Sequence, residues 1–138
     1  MTIVNKPLKA EYPTIRPHKI MIALFKEDCS FDVIEAFVKP QEETIIEYDG
    51  SKQYKAVLLN YGDQTFARIS FDKHSRSFFA ENVNKIDDVL TRILIWKNFY
   101  DAVYSAKEPS TNFIDLFCRH IASEKSDAVF EKQFENAK

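Results

Sequence analysis

Glycine is nearly missing: Gly50 and Gly62 are the only two in 138 residues. A loop that cradles phosphate needs several glycines so that the backbone can approach the ligand, and no stretch of this chain can form one. Cysteine is equally scarce. Cys29 and Cys118 fall in different halves, which argues against a disulfide framework and for two reduced thiols in a cytoplasmic protein. No segment approaches the roughly 18 apolar residues that span a bilayer, and no apolar core of signal-peptide length opens the chain. A basic stripe is absent too. The 19 Lys and Arg are interspersed with 21 Asp and Glu for a net charge of −2, so neither nucleic acid nor a membrane is an expected partner. What is abundant is apolar: hydrophobic residues make up 45%, with 12 Phe and 6 Tyr, enough for one real core.

That apolar content changes period near the middle, over 58–72. Before this stretch the pattern is short and alternating. The run 19–25 is apolar on both faces, as in a strand covered on both sides. A polar turn at 26–32 and a return strand at 33–38 follow, then a β-branched strand at 43–48 closed by Asp49-Gly50. A last pair is expected at 55–60 and 65–69 around Tyr61-Gly62-Asp63. In its second strand Phe66 and Arg68 share the face that meets the helices. Pro13 and Pro17 keep 12–17 extended. Five to six strands at this spacing predict an antiparallel β-sandwich over 1–70, incomplete at its beginning because Thr2-Ile3-Val4 reads as the tail of a strand.

Beyond the joint the period is helical, and 71–138 reads as the first helices of an α-solenoid-like array. The fold class is therefore α+β in sequence order. A short helix is expected at 75–83, capped by Asp72 or Ser75 and interrupted at Asn84-Lys85. The clearest helix is 86–106, with Val89, Ile93, Trp96, Tyr100 and Val103 on its inner stripe, widened by Leu90 and Leu94. Asp87 and Asp88 suit its positive end. Pro109 stops the run and Ser110 caps a helix at 111–122, where Phe113, Leu116 and Phe117, with Ile114 and Ile121, form an apolar face. A final helix starts at Ser126 and carries Val129, Phe130 and Phe134. No internal repeat is convincing.

Chemistry is hard to find. His18, His74 and His120 are never within a helical turn of one another, and there is no His-Glu-x-x-His or Cys-x-x-Cys spacing. Cys29 has no motif around it and belongs in a polar turn; His120 beside Cys118 is at most part of a ligand set. Glu42-Glu43 would point to opposite faces of a strand, and Asp87-Asp88 are helix-start charges. Arg68 is the ionisable residue to follow. It is either a surface arginine or an inter-domain clamp to Asp72, Asp87 or Asp88. Trp96 belongs to the core.

One ordered set of strings points further. Tyr12-Pro13-Thr14-Ile15-Arg16-Pro17-His18-Lys19-Ile20, leading into a strand that ends Leu24-Phe25, resembles the aminopeptidase N family of zinc metallopeptidases. So do Val57-Leu58-Leu59-Asn60 with Asp63-Gln64-Thr65-Phe66-Ala67-Arg68-Ile69, then Asp72-x-x-Ser75, then Ile86-Asp87-Asp88-x-Leu90-x-Arg92 with Trp96 and Tyr100-Asp101. The resemblance covers essentially the whole chain and places it across the end of the family's small β-sandwich and the beginning of its C-terminal helical domain. It implies a longer parent enzyme in which the His-Glu-x-x-His zinc site and the Gly-x-Met-x-Asn motif lie upstream. Neither motif is in this sequence, whose methionines are Met1 and Met21, so no catalytic or metal residue carries over and substrate-binding residues stay unknown. Zinc is then the cofactor of the parent and none is expected in this segment. Its expected partners are the remaining domains of the same chain, with self-association through exposed helix faces. The rival expectation is a free-standing β/α module that binds a protein partner.

Overall fold

The computed structural model describes residues 1–7 and 11–137, the side chains of 134, 136 and 137 excepted. Five strands come first: β1 (Thr2–Val4), β2 (His18–Phe25), β3 (Phe31–Val38), β4 (Glu43–Ile45) and β5 (Ala56–Leu59). Four α-helices follow among the described residues: α1 (Lys73–Asn82), α2 (Val89–Tyr104), α3 (Ser110–His120) and α4 (Asp127–Ala137). The expected α+β order is what the structure has.

The strands form two antiparallel sheets, β1-β4 and β3-β2-β5. Strand β2 sits at the centre of the larger one, and its two faces serve two cores. Ile20, Ile22 and Leu24 pack with Ile3, Ala36 and Val38 under the small sheet. Ala23 and Phe25, on the opposite face, pack with Phe79, Ile95, Phe99, Phe113 and Val129 of the helices. An unbroken apolar strand is what a sheet covered on both sides requires.

The chain passes between the sheets through the turn after Asp49, whose carboxylate accepts from the Ser51 amide at 3.0 Å. Asp49-Gly50 is thus a turn, but β4 and β5 belong to different sheets and Gly50 does not adopt positive φ. Gly62 does, at φ 78°. Strand β4 is also shorter than the sequence pattern predicts, ending at Ile45.

The strand expected at 65–69 does not exist. Its alternation is real, because Phe66 and Arg68 are exposed while Thr65, Ala67 and Ile69 are half-buried, but the segment has no strand partner and the outward set is the reverse of the one expected to face the helices. Helix α1 starts two residues earlier than expected and gives way to a 3-10 turn at Val83–Lys85. Helix α2 is the trunk of the helical half. Its buried residues are Thr91, Arg92, Ile95, Trp96, Asn98 and Phe99, whereas Val89 and Leu90, expected inside, are exposed. It stops at Tyr104 because Ala106, at φ 54°, closes a Schellman arrangement: the Lys107 amide donates to Ala102 and the Ala106 amide to Val103. Ser110 is not a cap. Pro109 holds that position, with its carbonyl accepting from the Asn112 amide. In α4, Val129 is fully buried and Phe130 is exposed, while the Phe134 side chain lies outside the described residues.

Candidate functional site at the joint of sheet and helices

Two side chains decide how the sheet hands over to the helices. Asn60 ends β5 in the left-handed region (φ 55°) and is buried. Its amide clasps the main chain of Thr65 from both sides: Nδ2 donates to the Thr65 carbonyl at 2.7 Å and Oδ1 accepts from the Thr65 amide at 3.0 Å. The Thr65 hydroxyl then donates to the Lys19 carbonyl of β2 at 2.8 Å. Ser75 does the second part. The Val57 amide, on the outer edge of β5, donates to Ser75 Oγ at 2.9 Å, and Ser75 Oγ donates to Asp72 at 2.5 Å. With the Thr65 main chain held by Asn60 and the β5 edge engaged by Ser75, residues 65–69 have no ladder to join. This is why the expected strand is absent.

Asp72 completes the arrangement. Its carboxylate caps α1, accepting from the His74 and Ser75 amides at 2.9 and 3.0 Å. Burial works against its charge, but the Ser75 hydroxyl and the two amides outweigh that and hold its carboxyl below the usual range.

The packing behind these bonds is aromatic. Phe31 lies 4.9 Å from Phe25, Phe25 5.0 Å from Phe79 in an edge-to-face pair, and Phe79 4.9 Å from Phe71. Phe71 continues to Phe99 at 5.8 Å, and Trp96 joins Phe99 to Phe113 on α3. Such contacts add about 1 kcal/mol per pair beyond area burial. Trp96 is core, as expected.

The expected joint residues are not brought together. Arg68 is exposed and forms no ion pair among the described residues. Asp72 caps α1 and Asp88 caps α2, accepting from the Thr91 amide at 2.7 Å. Asp87 contributes its main-chain carbonyl to Arg92 at 3.0 Å. The clamps are formed by two other arginines, Arg92, which the sequence marks only within the resemblance, and Arg76. Arg92 is buried and meets Glu124 through Nε at 3.2 Å and Nη2 at 2.9 Å, while its Nη1 donates to the Ile86 carbonyl at 2.7 Å. Arg76 pairs with Glu108 and lies over the Phe99 ring, 4.6 Å from its centre.

The reactive residue types are used structurally. Cys29 sits in the β2–β3 turn at φ 67°, packed into the helix-side core. Burial pushes its thiol up, away from the nucleophilic thiolate. His120 places Nε2 2.7 Å from the Ala80 carbonyl. Asp32 is held far below the usual carboxylate range by Lys26, with Lys52 and the Tyr54 hydroxyl helping, and ties the loop before β5 to the β2–β3 hairpin. Among the described residues no three His, Cys, Asp or Glu side chains gather as a metal would need. Among the described residues no helix is long and apolar enough to cross a membrane.

Residues 56–138, more than half of the chain, match the family model described as the ERAP1-like C-terminal domain. The chain belongs to that family. The match opens at Ala56, the first residue of β5, so the strand gripped by Ser75 lies inside the family's extent. Aminopeptidase N of Streptomyces lividans is 24% identical over 124 residues, which is 86% of this chain and 14% of that protein. The chain therefore spans a small part of the relative it matches. Both findings agree with the resemblance to a C-terminal segment of the aminopeptidase N family.

Proposed function

We propose that this chain is a non-catalytic, structural part of a zinc-dependent aminopeptidase that removes N-terminal residues from peptides. In this reading it links the catalytic domain to a helical lid over the active-site cavity. The observation that carries it is the continuous aromatic core from Phe31 on β3 to Phe113 on α3. An element that positions a lid has to transmit geometry without bending, and one shared core does that where a flexible linker cannot. The similarity to a protein named aminopeptidase N supports the choice of enzyme. Zinc and its ligands then belong to other parts of the parent chain, and those parts are this segment's partners. Exposed Phe66, Tyr104 and Phe130 support self-association of the isolated chain. Two free cysteines suit the cytoplasm.

Supplied with zinc, the purified 138 residues should leave an aminoacyl chromogenic substrate intact, and the natural reading frame should encode a His-Glu-x-x-His upstream. Hydrolysis that survives removal of contaminants would sink the proposal. So would a reading frame without that motif, which would favour a free-standing β/α protein-interaction module.

A further inference from the structure

Helices α1 and α2 begin alike. One starts Asp72-x-x-Ser75-Arg76 and the other, sixteen residues later, Asp88-x-x-Thr91-Arg92. Each aspartate caps its helix and accepts from the hydroxyl three positions on, at 2.5 Å in both cases. Each arginine then reaches a glutamate 32 residues further along the chain. For Arg76 it is Glu108, just ahead of α3; for Arg92 it is Glu124, just ahead of α4. Both glutamates are followed two residues later by a serine, Ser110 and Ser126. The same offset carries Phe79 onto Ile95 and Phe113 onto Val129, all four in the common core. Caps, hydroxyls, cations, anions and core positions are separate properties, and all repeat at one spacing.

We propose that the helical half is built from two interleaved copies of one unit, and that each arginine–glutamate pair is a register lock. The lock fixes which turn of one helix receives the start of the helix two further on: α1 with α3, and α2 with α4. The physical need is plain. Apolar burial is non-directional, and an apolar stripe repeats every turn, so a helix displaced by about 5.4 Å meets a similar surface. An ion pair does not tolerate that displacement. Arg92 and Glu124 meet in two parallel bonds with both side chains buried, and a slip would leave two uncompensated charges. Arg76 adds a second constraint by stacking on Phe99 of α2. The lock selects an arrangement and needs no net contribution to stability. This inference stands independently of the proposed enzyme.

The test replaces both partners with apolar side chains of similar length in the full 138-residue chain. Arg92→Met with Glu124→Leu should keep a cooperative melt. The amide NMR signals of α3 and α4 should then split or broaden into at least two sets, with those of β2 and β3 unmoved. Arg76→Met with Glu108→Leu should do the same to α3. One sharp set of signals with the original α2–α4 contacts would overturn the proposal. Failure of both double variants to fold would overturn it as well, because the pairs would then be supports and not selectors.

Discussion

Arg92 and Glu124 form a buried, two-pronged ion pair between the trunk helix α2 and the turn ahead of α4. Neither charge stands alone: the Ile86 and Asp87 carbonyls take the remaining guanidinium bonds, and the Lys125 and Ser126 amides donate to the carboxylate at 2.9 Å. A pair this enclosed is costly to break from one side, since the survivor keeps its desolvation penalty and loses its partner.

Arg92→Met alone should therefore destabilise the chain by about 3 kcal/mol in urea unfolding. Adding Glu124→Leu should recover much of that loss. A double variant no more stable than the single one would show that the two residues act separately.

Phe79 touches both Phe25 of the sheet and Phe71 of the joint, with no exposed surface. Phe79→Ala should cost about 3–5 kcal/mol. It should do so in a single transition, with Trp96 fluorescence and the sheet's amide protection lost together. Two separated transitions would mean that the joint is not one core.

Acid should loosen the joint. The Asp72 carboxyl is depressed in the folded chain, so the stability it contributes is complete above the unfolded value of about 3.9 and is lost as pH falls through the lower folded value. Asp32 acts in the same direction and further down the scale. Unfolding midpoints should hold above about pH 5 and drop below about pH 4. Asp72→Ala should flatten part of that drop and cost about 1 kcal/mol at neutral pH as a lost cap.

What the sequence made legible follows from which forces leave a periodic trace. Burial leaves one: β2, apolar on both faces, was readable as a doubly covered strand, and the helices from Trp96 to Phe113 were readable as a packed set. Competition for the backbone leaves none. The alternation of 65–69 is a true record of exposure, but Asn60 and Ser75 take the hydrogen bonds that would have made it a strand. The inner stripe of α2 holds from Ile93 to Val103 and fails only at its first turn, for a related reason. Thr91, Arg92 and Asn98 are polar and buried, so a hydrophobic count favours Val89 and Leu90, which face out. The recurring unit leaves no apolar period because it repeats in a cap, a hydroxyl and two charges, with few identical residues between. Arg68 would face the helices only from a strand; without the strand it is a surface arginine.

The α2–α3 turn offers a test of how local the backbone argument is. Ala106 occupies the left-handed position that closes the Schellman arrangement after Tyr104, where a Cβ crowds the following carbonyl. Glycine removes that clash at the expense of a more flexible unfolded chain, so the two effects oppose each other. Relief in the left-handed region is about 1–2 kcal/mol and the entropic loss about 0.5–1 kcal/mol. Ala106→Gly should therefore stabilise the chain by roughly 0.5–1 kcal/mol, read as a raised urea midpoint with an unchanged slope. Ala106→Val should move the midpoint the other way, because a β-branched side chain fits this region worse than alanine. If glycine lowers the midpoint, the turn is strained by something other than its left-handed residue.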